Sequence, residues 1–67
     1  MPILKVIEIL TNSEKSWEDA AQTAVAHASK SVRNLRSINI SNLSATIEDG
    51  KIKEYRINSK ISFEVEE

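Results

Sequence analysis

A chain of 67 residues provides one domain, spanning 1–67, and no length for a second. It has no Cys and one His, which excludes disulfide staples and Cys2His2-type metal sites. Nine Lys plus Arg against ten Asp plus Glu, a net charge of −1, supply no basic field for a phosphate backbone, so nucleic acid is not an expected partner.

The stretch Met1-Pro2-Ile3-Leu4-Lys5 lacks the basic region and apolar core of a secretory signal, and no apolar run approaches the ~20 residues needed to cross a bilayer. The expectation is a cytoplasmic protein with no membrane partner. From Leu4 to Leu10 the chain is apolar and β-branched apart from Lys5 and Glu8, which predicts a strand, and Thr11-Asn12-Ser13 reads as the turn that ends it. Ser16 before Trp17-Glu18-Asp19 predicts a helix from about Trp17: the hydroxyl caps the first free N–H groups, acids lie in the first turn, and Asp19 imitates the Glu of a capping box. Ala21, Ala24, Val25, Ala28, Val32 and Leu35 recur every three or four residues and form the expected apolar stripe.

Between Ile38 and Phe63 the period becomes two. A parity slip near Ser41-Asn42 predicts a bulge, and Glu48-Asp49-Gly50-Lys51 predicts a hairpin in which Gly50 takes a positive φ. On the last strand Tyr55, Ile57, Ile61, Phe63 and Val65 share one face, and Arg56, Asn58, Lys60, Ser62, Glu64 and Glu66 share the other. The fold class is therefore α+β: strand, helix, strand, strand, with a three-stranded antiparallel sheet and one helix on it.

A strand from Lys51 to Glu66 extends roughly 50 Å at ~3.3 Å per residue, whereas a compact domain of this length is only about 28 Å across. Such strands overshoot their own subunit and need cover from copies of the chain. Energetics agree. Compaction would remove about 6,600 Å² of surface, worth ~100 kcal/mol if about 60% is apolar, against a similar loss of conformational entropy. Self-association is the device left to a chain without staples.

The order of these elements, with Lys5-Val6-Ile7-Glu8-Ile9, Ser16-Trp17-Glu18-Asp19-Ala20, Ala28-Ser29-Lys30, Arg33-Asn34-Leu35, Ile47-Glu48-Asp49-Gly50 and Phe63 at their spacings, resembles the dodecins. The resemblance implies a hollow homododecamer that binds flavins such as FMN or riboflavin in pairs and stores or quenches them. It implies two flavin-contacting side chains: a stacking aromatic at the position of Ser37 and a Gln, reading the polar ring edge, at the position of Arg56. Both are replaced. A buried ring is worth several kcal/mol, and Arg56 only donates where an amide both donates and accepts, so flavin affinity is expected to be much reduced.

Trp17 and Phe63 are expected at subunit interfaces, and His27 as an exposed or interface residue of the helix. Glu64 and Glu66, with Glu67 beside them, are candidate ligands for calcium or magnesium when repeated by symmetry. Arg56 is expected to pair with a carboxylate across the sheet or to contact an anion. No Ser-His-Asp set, catalytic carboxylate pair or Gly-rich phosphate loop is present, so no enzymatic activity is expected. The sequence points to a shell that binds or stores a small ligand, with a cation-binding or purely structural assembly as the alternative.

Overall fold

In the computed structural model, which describes residues 3–65, the chain forms β1 (Ile3–Ser13), α1 (Trp17–Ser31), β2 (Leu35–Glu48) and β3 (Lys51–Val65). The three strands make one antiparallel sheet in the order β1-β3-β2, so the longest strand is central and the other two are edges.

The strand β1 runs three residues beyond the expected exit. Thr11, Asn12 and Ser13 pair with Ile57, Arg56 and Tyr55, so partnership with β3 overrides their turn chemistry. At the start of α1 the Ser16 hydroxyl accepts from the Asp19 N–H at 2.9 Å, as the sequence predicts. The return half of the capping box is relayed. The buried Ser13 hydroxyl donates to Asp19 Oδ2 at 2.7 Å and itself accepts from the N–H groups of Lys15 and Ser16, at 2.9 and 3.4 Å.

The helix ends at Ser31, short of the expected stripe through Val32 and Leu35. Val32 is already extended (φ −126°), its N–H bonding back to the Ala28 carbonyl, and Asn34 takes a left-handed conformation (φ 62°) that turns the chain into β2. The buried stripe is Ala20, Ala24 and Ala28, a strict four-residue spacing of methyl groups that lets the helix lie close on the sheet. Beneath it lie Ile57, Ser59 and Ile61 of β3, with Ile7, Ile9, Val25, Leu35 and Ile38 packed around the Ala24–Ala28–Ile61 centre.

Pairing between β2 and β3 shifts register between Ile40 and Asn42, at the predicted slip, and also between Leu35 and Ser37 and between Thr46 and Ile47. Asp49 and Gly50 both have positive φ, 54° and 76°, forming a two-residue turn that matches the twist of the strands it joins. The molecule measures 51 × 20 × 13 Å, with a radius of gyration of 13.7 Å, where a compact chain of this length has about 11 Å.

Candidate functional site

The helix covers one face of the sheet and leaves the other open. Alternation along β3 decides which residues go where. Ile57, Ser59 and Ile61 lie under the helix, so Glu54, Arg56, Asn58, Lys60, Ser62 and Glu64 stand on the open face. Register adds Leu4, Val6, Glu8, Leu10 and Asn12 from β1 and Ser37, Asn39, Asn42 and Ser44 from β2. The open face is therefore polar along its centre and apolar along the β1 edge, where Leu4, Val6 and Leu10 are more than half exposed.

Ser37 and Arg56 both lie on this open face, but far apart. Ser37 is opposite Ser62 and Arg56 is opposite Ser44. Six residues of β3 separate the two rows, about 20 Å. One chain cannot bring both to a single planar ligand; only two copies can complete such a site. The Ser37 hydroxyl shares a hydrogen bond of 2.5 Å with the Ser62 hydroxyl.

Among the described residues Arg56 meets no carboxylate. Its Nε donates to Asn12 Oδ1 at 2.9 Å, because the register sets an amide directly across from it. Asn58, next on this face, is half-buried, and its Oδ1 is buried without a hydrogen-bond partner among the described residues.

Glu64 is claimed by a side chain that the sequence reading did not single out. The shift between Leu35 and Ser37 leaves Arg36 as the extra residue of β2, and its Nε and Nη2 both donate to Glu64 Oε2, the Nε bond at 3.1 Å. Glu66 and Glu67 lie outside the described residues. Among the described residues no three His, Asp or Glu side chains converge as a metal cage, so any cation site using Glu64 draws its other ligands from elsewhere.

Trp17 is engaged inside its own subunit. It is half-buried, meets Tyr55 edge to face at 4.9 Å between ring centroids, and donates from Nε1 to the Ser44 carbonyl at 2.9 Å. Beside it a largely apolar groove of about 300 Å³ runs between the helix and β2, lined by Trp17, Glu18, Ala21, Ile40, Leu43 and Ile57. Phe63, half-buried, sits on the helix side of β3 beyond the last helical turn, between Lys5 and Leu35 in register. His27 is exposed on the helix.

The central polar row, Arg56-Asn58-Lys60, was legible in the alternation of the last strand; its partners Asn12 and Asn42 were not, since they depend on register. A family model described as Dodecin matches residues 3–66. Dodecin of Thermus thermophilus is 32% identical over 65 residues, covering 97% of this chain and 94% of that protein. The crystal structure of a point variant of it superposes with a TM-score of 0.94 at 31% identity, with all of both chains covered. Calcium dodecin of Mycobacterium tuberculosis is 38% identical over 66 residues, covering 97% of this chain and 92% of that protein. Its crystal structure, described as that of a calcium-chelating antigen with a novel calcium-binding site, gives a TM-score of 0.82 at 37% identity, with 96% and 91% covered.

Proposed function

This chain belongs to the dodecin family, and we propose that it works as a non-enzymatic, cytoplasmic homododecameric shell that binds and stores a small ligand, with affinity for flavins much below that of a shell carrying the aromatic and the amide. The observation that carries this reading is the placement of Ser37 and Arg56: both on the open sheet face, six residues apart along β3, so that a ligand touching both positions must sit between copies. At the first position a hydroxyl bonded to Ser62 offers no ring to stack on. At the second a guanidinium oriented by Asn12 donates and cannot accept. Among the described residues no helix is long and apolar enough to cross a membrane.

Titration of the assembled protein with FMN and with riboflavin, followed by quenching of flavin fluorescence, tests the ligand reading. Binding weaker than micromolar is expected, and sub-micromolar quenching by both flavins contradicts it.

The kinship with a calcium dodecin favours a second reading, a shell that holds calcium or magnesium through Glu64 and Glu66. Since Glu64 is neutralised by Arg36, the cation must compete with an ion pair. Calcium calorimetry on the same preparation decides: no heat and no change in melting temperature at millimolar calcium removes this reading.

A further inference from the structure

The centre of the open face presents hydrogen-bond donors in a row with no carboxylate between them. Arg56, Asn58 and Lys60 are alternate residues of the central strand and project from the same side of the sheet. The bond from Arg56 Nε to Asn12 fixes the guanidinium plane and leaves both Nη groups without a partner among the described residues. Asn58 lies between Arg56 and Lys60, half-buried, with its Oδ1 buried and without a hydrogen-bond partner among the described residues. Lys60 forms no ion pair among the described residues, although Glu8 stands opposite it in register. Glu54, on the far side of Arg56, forms none with it either, and Glu64 is already held by Arg36.

We propose that Arg56, Asn58 and Lys60 form a subsite for a phosphate-type oxyanion on the open face of the sheet. This deepens the small-ligand reading by assigning the ligand a phosphate group. The two cations are about 13 Å apart at the backbone, a span that two long side chains close over the Asn58 between them. Arg56 and Lys60 only donate, which suits an oxyanion, whose oxygens all accept, and the Asn58 amide between them has N–H groups to add. The paired Nη groups of Arg56 match two oxygens of one phosphate in parallel, and Lys60 adds a point charge. Both cations are exposed, so an incoming anion meets charged donors that no side chain among the described residues already occupies at the Nη groups or at Nζ.

The test is calorimetric titration of the assembled protein with inorganic phosphate, repeated for Arg56→Gln and Lys60→Gln, with sizing chromatography of each variant and parallel titrations with FMN and riboflavin. Phosphate binding is expected in the parent, and each substitution should weaken it about tenfold or more. FMN should bind more tightly than riboflavin, with the gap closing in Arg56→Gln. Absence of phosphate binding in the parent at millimolar concentration overturns the subsite, as does phosphate affinity that stays within about twofold in both variants. Neither result touches the shell reading, which is judged by the particle mass and by riboflavin. If phosphate binds while neither flavin does, the flavin part of the functional reading falls and the oxyanion subsite stands.

Discussion

Ser37 and Arg56 carry the functional reading at the scale of single residues, and both were legible as substitutions once the chain was aligned to its family pattern. Their separation was not, because it depends on which residues of β2 and β3 face one another, and a register shift between Ile40 and Asn42 lies between the two rows. The relay from Ser16 through Ser13 to Asp19 was also hidden: Ser13 belongs to a different element, and only folding brings its hydroxyl between them. Arg36 escaped notice because it interrupts the alternation rather than continuing it. The two flavin positions yield a sharp prediction. Ser37→Trp with Arg56→Gln restores a ring and an amide that both donates and accepts, and should raise affinity for riboflavin, which carries no phosphate, by about a hundredfold or more. Ser37→Trp should contribute the larger share, since buried ring area is worth several kcal/mol and one neutral hydrogen bond about 1 kcal/mol. Fluorescence titration of assembled variants measures this. An affinity within tenfold of the parent would show that the site has diverged beyond these two positions.

At the scale of elements, the start of the helix was legible because Ser16 and the acids after it are local signals. Its end was not. No Gly or Pro marks the stop; Val32 simply turns extended and Asn34 supplies the left-handed residue. The hairpin was legible in Asp49-Gly50 for the same local reason. Trp17 links helix and sheet in a way its position at a helix start does not reveal. Because β2 is an edge strand, the Ser44 carbonyl depends on a side chain for its partner, and the indole N–H supplies it while the ring packs on Tyr55. Trp17→Ala should cost about 2–3 kcal/mol, and Trp17→Phe, which keeps a ring and loses the N–H, about 1 kcal/mol. Thermal melting with sizing chromatography checks both: for the alanine variant the melting temperature and the assembled fraction should fall together. An unchanged melting temperature would show that the indole contacts contribute nothing to the fold.

The whole molecule is where sequence arithmetic and structure agree most closely. The predicted overshoot of the long strands appears as a longest dimension of 51 Å. The accessible surface is 5,046 Å², where a compact protein of this mass shows about 4,250 Å². The excess, roughly 800 Å², is about the area that one partner contributes to a standard interface. Large apolar side chains stand exposed in three places: Ile3, Leu4, Val6 and Leu10 along β1, Ile40 and Leu43 beside the Trp17 groove, and Ile47 and Ile52 at the hairpin. An isolated subunit would leave these in water together with two open sheet edges. Folding is therefore expected to be coupled to assembly. How the copies are arranged was not legible in residue patterns, since one chain's sequence records an exposed apolar surface but not the symmetry that covers it; the family supplies that. The mass of the purified protein in solution at micromolar concentration, measured by light scattering after size exclusion, tests this claim most directly. The account predicts a particle of about 90 kDa, twelve chains of 7.5 kDa each, and a folded species of 7.5 kDa would contradict it.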